Sequence, residues 1–306
     1  MVGKSGMNKP AEENLNTYMD LYEEGKKRLS AVRIREYEID ARYLLLFVFG
    51  IDMNEMLMNY AVPFRADQVP FVRKYLDAVA EREKRIPLQH ITHTQNFFGY
   101  DFLVNDKVLI PRQDTEILVE EVLKDLKSAA PESLSGQSGN DTTLLDLCTG
   151  SGCIAVALKK EAPFLCVTAG DISEEALAVA EKNAAENKAE IRFLKSDMYG
   201  AFADEKFDII TCNPPYIRSS VIEMLEPEVK DHEPRLALDA EEDGLKFYRI
   251  LAAETPKHLE EGGRIYFEIG FDEAKDVTAM LRQSGFQDTE VIRDYAGLDR
   301  VIKAHI

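Results

Sequence analysis

The stretch from Thr143 to Ile217 sets the terms for the whole chain. It opens on an apolar run, Leu144 to Cys148, that reads as a strand. The small-residue turn Thr149-Gly150-Ser151-Gly152 follows, then a helical run from Cys153 to Leu158. A second strand, Cys166 to Ala169, ends at Asp171, and a third, Phe207 to Thr211, ends at Asn213-Pro214-Pro215-Tyr216. Apolar strands alternating with helical segments are the pattern of an open α/β sheet, whose ligands sit at the carboxyl ends of its strands. All three candidate segments lie at such ends. The pattern predicts one nucleotide-like cofactor site with a small polar substrate pocket beside it.

At 306 residues the chain has room for two domains with a sizeable core in at least one. No apolar run approaches the roughly 20 residues that span a bilayer, and the polar N-terminus is not a signal peptide. A cytoplasmic protein without a membrane partner is expected. The cysteines Cys148, Cys153, Cys166 and Cys212 lie in or next to predicted core strands or the first helix and form no C-x-x-C pair, so they are expected to be buried free thiols. The histidines are scattered, and no metal is expected. Charge is uneven: residues 1–85 balance acid against base, and the remainder holds the entire net charge of −18. Proteins that grip nucleic acid present a basic footprint. The acidic remainder argues against DNA or RNA as direct substrate.

Residues 1–85 read as a helical bundle of four or five helices, a domain that binds or orients more than it catalyses. Met1 to Pro10 is polar and expected to fray. Asp52 followed by Glu55 is a capping signature, and Gln68 to Arg82 is helical. Within 86–111, strands at Phe98 to Val104 and Val108 to Ile110 around the turn Asn105-Asp106 predict a β-hairpin joining the domains. The second domain, 112–306, begins with a helix from Asp114 to Leu126, and Ala129 to Asn140 reads as a surface loop. Ser173 caps a helix from Glu174 to Asn187, and Ile191 to Leu194 is a strand. Val221 to Ala240 is a long excursion after a strand end. Gly244 to Leu259 is a helix, Arg264 to Ile269 a strand and Glu273 to Ser284 a helix. Thr289 to Arg293 with Arg300 to His305 closes the sheet as an antiparallel pair.

Gly150 and Gly152 permit a tight turn and close backbone approach of a ligand at a helix N-terminus. The same run fits the G-x-G-x-x-A dinucleotide fingerprint. Asp171 could accept both hydroxyls of a ribose, in an adenosyl sulfonium cofactor or a dinucleotide alike, or could simply cap a helix. Asp197, with Met198 as apolar neighbour, is placed to meet an adenine. The run Asn213-Pro214-Pro215-Tyr216 discriminates best. An amide nitrogen is a poor nucleophile, so a site must hold both its N–H groups and aim its lone pair at an electrophilic methyl. The Asn213 side-chain oxygen and the Pro214 carbonyl can each accept one N–H. Pro214 and Pro215 stiffen the loop, and Tyr216 packs against the planar group. Orientation and preorganised dipoles then do most of the catalysis. Arg112 or Glu116 could contact cofactor or substrate, or form a structural pair. Phe98, Tyr100 and Phe102 read as packing, Glu268 and Gly270 could complete the crevice, and His232 reads as a surface residue.

Taken together, these runs make the chain similar to the protein-(glutamine-N5) methyltransferases that modify peptide chain release factors. The resemblance covers nearly the whole chain, most strongly from Arg85 onward. It rests on Leu109-Ile110-Pro111-Arg112-x-Asp114-Thr115-Glu116, Leu145-Asp146-Leu147-x-Thr149-Gly150-Ser151-Gly152, Asp171-Ile172-Ser173 and Asn213-Pro214-Pro215-Tyr216-Ile217. Glu233-Pro234-x-x-Ala237-Leu238, Asp243-Gly244-Leu245 and Asp294-x-Ala296-Gly297-x-Asp299-Arg300 belong to the same pattern. It implies a class I (Rossmann-like) S-adenosylmethionine-dependent methyltransferase sheet, with a small N-terminal helical domain and a linking β-hairpin. S-adenosylmethionine would donate the methyl and leave as S-adenosylhomocysteine. The acceptor would be the glutamine of a release factor's Gly-Gly-Gln loop, docked with help from the helical domain. The sequence itself fixes no oligomeric state, and a monomer is the default. By position, Asn213, Pro214, Pro215 and Tyr216 inherit the glutamine pocket. Thr149, Gly150, Ser151, Gly152, Asp171, Asp197, Met198 and Asn213 inherit the cofactor site. The chain departs from the pattern at His93 and Cys148, where glycine is usual, at Asn96, where glutamate is, and at Ala240-Glu241, which replace a glycine-containing pair. Asn-Pro-Pro-Tyr alone is shared with nucleic-acid adenine and guanine N-methyltransferases, the first alternative. The glycine spacing with Asp171 leaves a nicotinamide-dependent oxidoreductase as the second.

Overall fold

A computed structural model describes residues 15–128 and 142–306; the frayed N-terminus and the loop at Ala129 to Asn140 expected above lie outside the described residues. Contacts divide the chain into residues 1–92 and 93–306. The division falls beyond residue 85 because the short helix Leu88–Thr92 buries Ile91 with the helical core.

The first unit contains α1 (Tyr18–Ala31), α2 (Tyr37–Phe49), α3 (Met53–Met58), α4 (Val69–Arg82) and α5 (Leu88–Thr92). Thr17 and Asp20 cap α1 reciprocally, and the Asp52 carboxylate accepts the Glu55 N–H to start α3. Gly25 lets α1 approach α4, since a Cβ there would lie 2.0 Å from the Tyr75 hydroxyl. That hydroxyl donates to the Ala41 carbonyl of α2. Arg82 Nε donates to Asp40 at 2.6 Å, and both side chains are buried.

In the second unit, β1 (Thr94–Phe97) and β2 (Tyr100–Leu103) form the hairpin, around Phe98-Gly99. The expected turn at Asn105-Asp106 and the expected strand at Val108 to Ile110 are therefore corrected. Both turn residues have positive φ, the two-residue geometry that matches strand twist. A phenylalanine is an unusual occupant, but its N–H donates to Glu116 at 2.8 Å and its ring packs on the core. Asn105 instead folds its side chain onto the Lys107 N–H, in a loop whose Val104 and Val108 pack on Ala176 and Val179.

The chain continues as α6 (Gln113–Ser128), β3 (Thr143–Leu147), α7 (Cys153–Glu161), β4 (Cys166–Asp171), α8 (Glu174–Glu186), β5 (Arg192–Lys195) and β6 (Phe207–Cys212). The excursion holds only the short helices α9 (Ser219–Ile222) and α10 (Pro227–Lys230) and one 3-10 turn. Then come α11 (Lys246–His258), β7 (Leu259–Glu268), α12 (Ala274–Gln283), β8 (Gln287–Arg293) and β9 (Asp299–His305). The sheet runs β5-β4-β3-β6-β7-β9-β8. Its first five strands are parallel, and β9 pairs antiparallel with both β7 and β8. On one face Leu144 packs with α6 and α7; on the other, Leu145 and Leu147 pack with α11 and α12. Cys153 and Cys212 are buried as expected, but Cys148 is half-buried and Cys166, at the start of β4, is exposed. No helix among the described residues is long and apolar enough to cross a membrane.

β3 carries one charge, Asp146, fully buried. It accepts from Thr211, its register partner on β6, at 2.8 Å and from Thr149 at 2.6 Å. Burial pushes its carboxyl up to about 7.

Two outcomes follow from these buried charges. Asp40→Ala strands Arg82 in the helical core and is expected to cost about 3 kcal/mol in urea unfolding, against under about 1 kcal/mol for the more exposed Arg28→Ala. At Asp146 the folded chain retains a proton that the unfolded chain, with an ordinary carboxyl near pH 4, has released. Stability therefore declines as pH rises from about 4 to about 7. Asp146→Asn should lack this decline, so its midpoint gains on wild type across the window and levels off above it. Parallel pH profiles would mean that Asp146 titrates alike in both states.

Candidate active site

The site grows from the end of β3. After Leu147 the chain turns through Cys148, Gly150 and Gly152, all with positive φ. The Gly152 N–H closes the turn onto the Thr149 carbonyl at 2.8 Å, and α7 begins at Cys153. A Cβ at Gly152 would sit 3.0 Å from that of Ala180, so this glycine lets α7 pack on α8. A Cβ at Gly150 would meet nothing nearer than 4.0 Å, which leaves its backbone open to a ligand.

Asp171, at the end of β4, locks the turn: one carboxylate oxygen accepts the Gly150 N–H and the other the Ser173 N–H, each at 2.9 Å. Burial pushes this carboxyl up, while the two N–H groups draw it down. Ser173 caps α8 through the Ala176 N–H. After β5, Asp197 is exposed and Met198 buried, with Met198 Sδ 3.9 Å from Cys148 Sγ. After β6, Asn213 Nδ2 lies 3.3 Å from the Thr115 hydroxyl on α6.

These strand ends enclose a cavity of about 530 Å³. Thr149, Gly150, Ser151, Asp171, Asp197, Met198, Asn213 and Pro215 line it. Gly152, Pro214 and Tyr216 do not. Pro214 is buried, and the Tyr216 hydroxyl donates to Glu268 at 3.2 Å. Burial pushes the Tyr216 phenol up, so it keeps its proton. Arg112 lines the cavity and pairs with the buried Glu233, whose other oxygen accepts the Ile110 N–H. His232 stays outside, and no histidine lines the cavity. Burial holds Cys153, on the wall, as a thiol by pushing it up to about 12, a poor nucleophile. Among the described residues no cluster of three or more His, Cys, Asp or Glu side chains could hold a metal ion.

Several partners escape sequence reasoning. The Pro111 to Glu116 run contributes Thr115 and Arg112 to the wall, while Glu116 serves the hairpin. Asn183, fully buried on α8, accepts the Leu103 N–H and donates to the Leu103 and Ser151 carbonyls, tying hairpin to turn. Its signal was a polar residue in the apolar stripe of Ala176, Ala180 and Ala184. Glu233 was legible as part of its Glu233-Pro234 run, but its partners, distant in sequence, were not.

The cavity has the size of a nucleoside-bearing ligand's site. It offers open turn backbone at a helix start, a carboxylate one strand away on one side and a carboxamide one strand away on the other, so the residues fit an adenosyl cofactor beside an amide substrate.

The family model for the methyltransferase small domain matches residues 125–226, and that for the PrmC N-terminal domain matches residues 20–92. The release factor glutamine methyltransferase of Geobacter sulfurreducens is 37% identical over 89% of this chain and 91% of its own. Its counterpart in Agrobacterium fabrum is 38% identical over 90% and 93%, and that of Thermodesulfovibrio yellowstonii 43% identical over 73% and 78%. Identity at this level, running through both units, means that the chain belongs to the release factor glutamine methyltransferase family.

Proposed function

We propose that this chain transfers the methyl group of S-adenosylmethionine to the side-chain amide nitrogen, N5, of the glutamine in the Gly-Gly-Gln loop of peptide chain release factors. The observation that carries the reading is Asn213, on the wall of the cavity that also holds the Gly150 turn and Asp171. Its Nδ2 is taken by Thr115. Oδ1 is left to accept one N–H of an incoming carboxamide; Pro214, buried and standing in the chain between the wall residues Asn213 and Pro215, offers its carbonyl for the other.

The bound cofactor supplies an electrophilic methyl on a sulfonium and a neutral thioether as leaving group. Thr149, Gly150 and Ser151 form its cradle. Asp171 takes the ribose hydroxyls with the lone pairs that Gly150 and Ser173 leave free, and Asp197 and Met198 flank the adenine. Gly152 supports the cradle from behind, and Tyr216 the amide loop. Held by both N–H groups, the glutamine amide keeps its plane and turns its nitrogen to the methyl. Pro214 and Pro215 fix the acceptors before substrate arrives. The nitrogen sheds a proton only once methylated, when it is positively charged and strongly acidic, so the absence of histidine from the wall fits the chemistry. The helical unit docks the release factor, and the enzyme acts as a monomer in the cytoplasm.

Labelled S-adenosylmethionine with a purified release factor tests this, in parallel with the same factor carrying Gln→Ala in its Gly-Gly-Gln loop. Label is expected on the loop glutamine and absent from the altered factor. Asn213→Ala should lower kcat by about 10²–10³-fold with cofactor affinity little changed. Asp171→Ala should weaken cofactor binding by at least about tenfold, the cost of a charged hydrogen bond. Methylation of DNA or RNA, with none on any release factor, would transfer the site to the nucleic-acid alternative.

A further inference from the structure

We propose that Arg112 binds the α-carboxylate of S-adenosylmethionine, and so makes the site select the amino-acid cofactor over adenosyl thioethers that lack the carboxylate. This rests on the cofactor placement proposed above, with the ribose at Asp171 and the methyl toward Asn213. The cofactor ends in an α-amino acid whose carboxylate is ionised at neutral pH. An anion that enters a cavity loses water and needs a partner of opposite charge. The acceptor glutamine and the glycines before it carry no charge, so the demand for a cation comes from the cofactor.

Among the described residues four lysines and arginines line the cavity: Lys107, Arg112, Arg235 and Lys246. Lys107 and Lys246 lie beside exposed acids, Glu175 at 3.5 Å and Glu241 at 2.8 Å. Arg235 divides its Nε and Nη1 between Asp239 and Glu223. Arg112 differs. Among the described residues its guanidinium donates to Glu233 alone, through Nη2 at 2.5 Å, which leaves Nε and Nη1 unspent. The Glu233 side chain is 1% exposed against 39% for Arg112, and its second oxygen accepts the Ile110 N–H. The acid is thus held from behind and cannot swing round to cover the rest of the guanidinium, as an exposed one could. A planar fork fixed at one corner offers its other N–H groups to a second carboxylate in matching geometry. The Arg112 carbonyl accepts the Thr115 N–H at 3.1 Å, and the Thr115 hydroxyl lies 3.3 Å from Asn213 Nδ2. Arg112 therefore stands on the Asn213 side of the turn, across from Asp171 on β4. Ribose and amino-acid tail are separate substituents of the sulfonium. A ribose held at Asp171 sends the tail away from β4, toward β6 and the start of α6, where Arg112 waits.

Titration calorimetry tests this with two ligands: S-adenosylhomocysteine, and its decarboxylated congener S-adenosyl-3-thiopropylamine, which keeps the amine. Wild type should bind the first at least about tenfold more tightly, the worth of a charged hydrogen bond. Arg112→Gln should erase most of that preference by weakening S-adenosylhomocysteine, with the Kd of the congener held. Arg112→Lys, which keeps the charge and loses the fork, should retain part of it. Arg112→Gln leaves Glu233 buried without its cation, a change that can unfold a protein. The double variant Arg112→Gln with Glu233→Gln, neutral at both positions, therefore repeats the measurement, and its melting temperature checks that it is folded. It should lose the preference as Arg112→Gln does. If these variants weaken both ligands alike, or keep the wild-type preference, or if wild type shows none, Arg112 is not the carboxylate's partner. If wild type binds neither ligand, the cofactor placement itself falls and this inference falls with it.

Discussion

The parallel pairing of β3 with β4 on one side and β6 on the other is the constraint on which the site depends. Leu147 is in register with Gly170 and with Cys212, so the three strands end at the same level. Asp171 and Asn213, far apart in sequence, thereby flank the Thr149 to Gly152 turn. Neighbouring strands lie about 4.8 Å apart, so the turn, the carboxylate and the amide fall within roughly 10 Å of one another. A one-residue slip would also exchange the two faces of β3. Leu144 would leave the α6 and α7 side, and Asp146 would lose Thr211. Core packing and site geometry are therefore fixed by the same register.

Around these strand ends, buried and half-buried carboxylates hold the loops. Asp146 takes hydroxyls from Thr149 and Thr211, Asp171 takes two backbone N–H groups, and Glu273 takes the Gly270 N–H. Glu233 reaches back from the excursion to Arg112 and the Ile110 N–H, so the longest irregular segment after β6 is anchored to the run before α6. Each carboxylate loses hydration on burial and recovers part of that cost from directed donors. Because such donors act at one distance and angle, the loops gain fixed shape. That suits a reaction whose catalysis is mostly orientation.

What could be read from the sequence follows from range. Ser173, Asp52 and the apolar periods of β3, β4 and β6 announce themselves within a few residues, and the structure has those elements within a residue or two of their expected ends. The candidate residues at the three strand ends were legible for the same reason: a strand's end and the residue after it are local facts. The hairpin was misplaced because its turn uses Phe98, a side chain that does not advertise positive φ, while Asn105-Asp106 has turn composition and serves a loop. Asn183, Thr115 and Glu233 act across 32 to 123 residues, and no local pattern encodes such partners. Tyr216 was legible as part of its run, but not that its hydroxyl would turn to Glu268.

Three of the departures from the family pattern share a physical account. His93 and Cys148 stand where glycine is usual, and Glu241 belongs to the pair that replaces a glycine-containing one; their φ values are 58°, 55° and 67°. All three lie in the left-handed region, which glycine enters freely and other residues enter at roughly 1–2 kcal/mol. Part of that cost is offset because a side chain also narrows the unfolded ensemble. The backbone has thus kept the path glycine would take, and the substitutions change walls instead. Cys148 adds a sulfur beside Met198 at the cavity. Glu241 gains an ion pair with Lys246, itself on the cavity wall, while its own carbonyl accepts the Ser219 N–H that starts α9. Strain accepted at these turns leaves the registers of β3, β4 and β6 in place, so the three strand ends keep their positions around the turn.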